Sequence, residues 1–304
     1  MEKRLIVCGD SFNIGIGCRD LRKEPYGSLL AESTGRKLVN LAKGSSTNLS
    51  IWLQVKYAVY NLNANENDIV LVNETSSERY NWFPEGKEIN RELTNLDVNY
   101  HDYPPYGKWS YQPEQYMTHP MSNQSEYTGK MITENIAGVI DYLDRFLAQG
   151  DNQRGKYYNR LADEPVTKLK LLRDFYTSIH NDQISQIQSR ALMTMSHSLL
   201  HNKNIKHVML LPNFQAYQDT VLEQNKMHLS WGELTMKYPD TVGSGHASEQ
   251  GHIEAFEMIL NKLIEIDPDF NKINLYNKII QIYLYMFKDR TNYNFMKIKY
   301  RLLP

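Results

Sequence analysis

Residues 5–17 read LIVCGDSFNIGIG, an apolar run that stops abruptly at Gly-Asp-Ser. Four consecutive apolar residues, Leu5 to Cys8, suit a strand buried on both faces. Gly9 followed by two small polar residues makes a serviceable turn. The same turn also lifts the Ser11 hydroxyl out of the end of a sheet, where chemistry can reach it. One reading is scaffolding and the other is a nucleophile.

Working outward, three more runs have the near-continuous Val/Ile/Leu character of buried strands: KLVNLA (37–42), DIVLVNE (68–74) and KHVMLLPN (206–213), alongside RLIVCG (4–9) itself. Helical periodicity lies between and after them. Residues 47–62 place Leu49, Trp52, Leu53, Tyr57 and Tyr60 at spacings of three and four, behind the candidate caps Ser45, Ser46 and Thr47. Residues 182–204 do the same with Ile184, Ile187, Ala191, Met195 and Leu199, and residues 248–266 with Ile253, Phe256, Ile259, Leu260 and Leu263. Strands alternating with helices predict an α/β fold, a mainly parallel sheet covered on both faces.

About 130 residues separate the third and fourth strands, far more than one crossover needs. Residues 81–127 are rich in Tyr, Pro and Asn without periodicity, and read as a long ordered loop or lid. The expected organisation is one domain over 1–266, interrupted by an insertion over 81–182, and a helical extension over 267–304. In that extension Leu275, Ile279, Ile282, Tyr283, Met286 and Phe287 share a face. Such a stripe is either core or a docking surface for a second copy or another partner.

Composition narrows the function classes. A net charge of −1 gives no general attraction for nucleic acid or an anionic membrane. No apolar run approaches the ~18 residues of a membrane span, and the four-residue apolar start is too short for a secretory signal, so cytoplasmic synthesis is expected. Two cysteines allow one disulfide at most, and Cys8 reads as a small buried apolar residue. No His/Cys pairing has zinc spacing, so neither metal nor organic cofactor is expected.

In open α/β sheets, function collects at the carboxyl ends of the strands. Four segments converge there: Gly9-Asp10-Ser11; NLAKGSSTNLS (40–50), with Gly44 and Asn48; VNETSSERY (72–80), with Asn73, Thr75 and Arg79; and DTVGSGHASEQGH (240–252), with Asp240, His246 and His252. In this order the blocks resemble those of the SGNH/GDSL hydrolase superfamily of serine esterases and lipases. The N-terminal GDS and the distant HASEQGH carry the resemblance, which covers roughly residues 4–80 and 200–265.

The resemblance implies a three-layer, flavodoxin-like α/β/α sandwich, with Ser11 as nucleophile and His246 as its base. A serine hydroxyl needs such a base to attack. It also implies an oxyanion hole made of the Ser11 and Gly44 backbone N–H groups and an asparagine side chain. Here the third block is irregular. Asn73 serves if the strand ends early, whereas a strict overlay puts Thr75 at that position. The acid that the family places three residues before the histidine is replaced by Gly243. Asp240, six residues ahead, either folds back to complete a triad or leaves a Ser-His dyad held by a backbone carbonyl. His252 reads as a packing or capping residue, and Asp10 as a hydrogen-bonding member of the loop. Asp10, Asn48, Thr75 and Trp82 are candidate pocket residues.

Two functions follow. One is an esterase or carbohydrate acetyl hydrolase acting on a small ester or acetylated glycan, its pocket shaped by the aromatic insertion. The other is a weakened SGNH-fold structural or glycan-binding protein. The Asn/Lys/Tyr/Ile-rich composition is similar to that of bacteriophage-encoded members, for which a virion location and virion partners are the expectation.

Overall fold

A computed structural model describes residues 2–42, 46–77, 79–82, 132–135, 181–212, 214–217, 224–241 and 245–267, together with positions 174 and 178. The expected aromatic lid over 81–127, apart from residues 81 and 82, most of the rest of the 81–182 insertion, and the C-terminal stripe lie outside these residues.

Five strands form one sheet: β1 (Arg4–Cys8), β2 (Lys37–Asn40), β3 (Ile69–Asn73), β6 (Lys206–Leu211) and β7 (Lys226–His228). Their spatial order is β2-β1-β3-β6-β7, and every pairing is parallel. Between β3 and β6 in sequence, β4 (Arg79–Trp82) and β5 (Ile132–Asn135) pair as a separate antiparallel ribbon, with Arg79 opposite Asn135.

The pleat of the strands explains the layering, because successive side chains leave on opposite faces. Leu5 and Val7, Ile69 and Leu71, and Val208 and Leu210 point to one face. There they meet α2 (Tyr26–Thr34), α5 (Trp231–Lys237) and α6 (Glu249–Ile266). Ile6, Cys8, Val70, Val72, Met209 and Leu211 point to the other, against α3 (Asn48–Tyr60) and α4 (Asp182–Asn202). The result is the α/β/α layering around a parallel sheet that the sequence predicted, with β3 and residues Leu5 to Cys8 of β1 shielded from water. Each such buried Leu or Ile contributes roughly 1.5–3 kcal/mol. No helix among the described residues is long and apolar enough to cross a membrane.

One helix face departs from the periodicity. In α4 the residues Ile184, Ile187 and Met195 are exposed, at 53, 55 and 47%, while Ser185, Ser189, Met193, Ser196 and His197 are buried. Small residues let the helix come close to α3: Asn48 Nδ2 of α3 donates to Ser189 Oγ at 2.6 Å, while the Ser196 hydroxyl turns back to the Leu192 carbonyl of its own helix. Close approach outweighs the larger apolar side chains, even though the buried Ser185 hydroxyl has no partner among the described residues.

Candidate active site

The Gly-Asp-Ser turn is held from three directions. Gly9 leaves β1 where no side chain fits, since a Cβ there would lie 2.2 Å from the Asn13 side chain. Both polar groups of Gly9 are taken by one amide: its N–H donates to Gln54 Oε1 at 2.7 Å, and its carbonyl accepts from Gln54 Nε2 at 3.1 Å. Asp10 then caps the short helix α1 (Ser11–Ile14). Its Oδ1 accepts from the Phe12 N–H while the Asn13 side chain accepts from the Asp10 N–H, a reciprocal capping box. The second carboxylate oxygen of Asp10 accepts from Thr75 Oγ1 at 2.8 Å, tying the turn to the end of β3. Ser11 opens α1 and is 7% exposed.

His246 arrives on a folded-back segment just ahead of α6. Pro239 and Ala247 form an antiparallel bridge, the Asp240 N–H donates to the His246 carbonyl, and the Ser248 N–H donates to the Tyr238 carbonyl. Six residues of separation thus become direct cross-chain neighbours. Asp240 Oδ2 accepts from the His246 backbone N–H at 3.2 Å, so this carboxylate meets the histidine at its main chain.

The two distant segments meet in one contact: His246 Nε2 lies 2.8 Å from Ser11 Oγ, across 235 residues of sequence. The imidazole packs on Phe12, ring centroids 4.5 Å apart, and Phe12 stacks on Trp231 at 5.3 Å. Gly17, at φ +103°, lets the loop after α1 approach the histidine segment, since a Cβ would lie 2.2 Å from the Ala247 carbonyl oxygen.

The remaining expected residues divide. Asn73 is buried and engaged at both ends: Nδ2 donates to the Glu74 carbonyl, and Oδ1 accepts from Trp231 Nε1. These contacts fasten α5 to β3 and use one of the two N–H groups of the amide. Thr75 and Asn48 are buried and bound to each other, the Asn48 side chain bridging the Thr75 N–H and carbonyl. With Asp10 they form a brace behind the turn. Gly44 and the Trp82 side chain lie outside the described residues. His252 packs, as its place in the sequence suggested: it is fully buried against Tyr26 and Trp231, accepts from the Tyr26 N–H at Nδ1, and burial pushes its pKa down to about 3, with the His246 charge adding.

Gln54, Phe12, Trp231 and Asn13 escaped the sequence reading. Gln54 carries a signal, as a polar residue inside the apolar face of a helix. Phe12 and Trp231 look like any other aromatic core residue until the histidine is seen to rest on them.

No protein-family model and no curated protein matches the chain. Among solved structures it is similar to a protein from Desulfitobacterium hafniense DCB-2 assigned to the G-D-S-L lipolytic family. That likeness has 12% identity and a TM-score of 0.28, over 86% of this chain and 100% of that one. At that score it carries no functional weight, and what this chain can do follows from its own side chains.

Proposed function

We propose that the chain is a serine hydrolase of carboxylic esters. Ser11 Oγ attacks the ester carbonyl carbon while its proton passes to His246 Nε2. The tetrahedral intermediate collapses as the imidazolium returns that proton to the departing alcohol, leaving an acyl group on Ser11. Water, deprotonated by the same imidazole, then releases the acid and restores the hydroxyl. The Ser11 and Gly44 backbone N–H groups are the donors assigned to the oxyanion. Asp240 acts as a positioning residue, fixing the histidine segment through its backbone contact.

The 2.8 Å approach of Ser11 Oγ and His246 Nε2 carries this reading, being within the reach required of a nucleophile and its base. The aromatic packing on one side of the imidazole supports it by limiting the ring's rotation. A short-chain ester, including the acetyl ester of a sugar, is the proposed substrate class.

A second reading, an inert binding component of the same fold such as a phage particle protein, is favoured by Asn73 alone, whose amide is partly committed elsewhere. A fluorophosphonate probe separates the two. Labelling that disappears in Ser11→Ala supports the hydrolase; absence of labelling, with p-nitrophenyl acetate turnover at the buffer level, supports the binding protein.

A further inference from the structure

A cavity opens at the carboxyl ends of β3 and β6, on the face covered by α4. Its volume is about 170 Å³, and its walls include Glu74, Thr75, Gln186, Ser189, Arg190 and Tyr217. That is smaller than the ~300–1,000 Å³ of drug-sized pockets, and limits an occupant to one ring or a short chain.

Glu74 is the unusual member. It is 6% exposed, and only one of its carboxyl oxygens is spoken for: the Tyr217 hydroxyl donates to Oε1 at 2.5 Å, while Oε2 is buried without a hydrogen-bond partner. A buried acceptor left unmade is costly, more so when charged, and marks a place where a donor belongs. The rest of the wall decides what kind of donor. Arg190, whose Nη1 donates to the Ala216 carbonyl, sets a cation close to the carboxylate, which disfavours an ammonium ligand. The carboxylate in turn disfavours an anion. What suits opposed charges and a hydroxyl-lined wall is a neutral molecule that both donates and accepts.

We propose that this cavity binds a neutral polyhydroxylated ligand, a single sugar ring or short polyol, one of whose hydroxyls donates to Glu74 Oε2. The site stands on the cavity and its orphaned oxygen, and not on the chemistry assigned to Ser11. Burial, partly offset by the Tyr217 hydrogen bond, holds the Glu74 carboxyl up at about 7. A hydroxyl suits either protonation state of that carboxyl, whereas an ammonium requires the anion.

The test is calorimetric titration of the full chain with methyl β-D-glucopyranoside, D-xylose and glycerol, beside methylammonium and acetate as charged controls. At least one polyol should bind, with affinity unchanged in Ser11→Ala. Glu74→Gln, which presents an amide donor where the acceptor stood, should weaken that binding about tenfold or more. Gln186→Trp, at an exposed wall position, should block it without disturbing the fold, and serves if the Glu74 variant does not fold. Failure of all three polyols to bind, binding of only a charged control, binding abolished in Ser11→Ala, or affinity untouched by either cavity variant would overturn the proposal.

Discussion

One side chain, Gln54, hydrogen-bonds both the N–H and the carbonyl of Gly9. It replaces the pairing that β1 loses where it leaves the sheet. The strand end is thereby fixed two residues before the proposed nucleophile. Gln54→Leu keeps the volume but leaves two buried backbone groups unmade, at roughly 1–3 kcal/mol each. Denaturant unfolding should show a loss of about 2–4 kcal/mol, and ester turnover should fall through kcat more than KM. A variant as stable as the parent would show that water or rearrangement replaces the amide at no cost.

Gly17 faces Ala247 with no room for a methyl group, in a backbone conformation that favours glycine. Gly17→Ala should destabilise by about 2 kcal/mol or more and loosen the histidine segment. Thermal unfolding combined with the rate of probe labelling checks both parts. A variant with normal stability and normal labelling would mean that the two loops move apart freely.

Asp240 reaches His246 through the backbone N–H, and an asparagine oxygen can accept that bond equally well. Asp240→Asn should therefore retain ester turnover within about tenfold, and Asp240→Ala should lose more. An acid acting on the imidazole itself would behave otherwise, since its replacement by asparagine typically costs about 10⁴ in kcat. A collapse of that size in the asparagine variant would assign Asp240 to the ring.

Three buried histidines set an acid limit on the fold. Burial lowers His207 to about 4 and His252 to about 3, and lowers His197 as well, while an unfolded histidine titrates near 6.5. Each is neutral when folded and takes up a proton on unfolding below the unfolded value, so its stabilisation is present above ~6.5 and lost as pH falls below it. Glu74, raised to about 7, acts in the opposite sense, as does the less buried Glu24 more weakly. His207 and His252 gain two protons against one lost, a net fall on the order of 1 kcal/mol per pH unit from about 6.5 to 4.5, to which His197 adds. His252→Phe should flatten the pH profile of unfolding free energy by about one proton. Parallel profiles for the two proteins would refute the assignment.

Strands β1, β3 and β6 were legible as buried runs of apolar residues; β2, read the same way, is an edge strand whose residues are half-buried or exposed. Strand β7 was not legible, being three residues, Lys-Met-His, shaped by the neighbour it pairs with. Helices α3, α4 and α6 were found by period, whereas the shorter α1, α2 and α5 were not; and period alone picked the wrong side of α4, where small residues, Ser189 bonded to α3 among them, occupy the inner face. Ser11 and His246 could be singled out by their flanking residues, because a glycine turn and a helix start leave a local trace. Gln54 and Trp231 could not, since what fixes their roles is a partner far away in sequence. Asn73 was found as a donor type; that it also fastens β3 to α5 was not legible.

The sheet order has a consequence for how the chain is born. β1, β2 and β3 are adjacent in space and complete by residue 73, so a ribosome delivers one side of the sheet, from its edge to its central strand, early. The imidazole that faces Ser11 emerges only near the end of the described chain, after α5 has been laid down. Contacts of such long sequence separation form late and slow folding. A nascent or truncated chain lacking residues from 246 onward would therefore carry a shaped serine loop with no base beside it, chemically silent until α6 closes over the sheet.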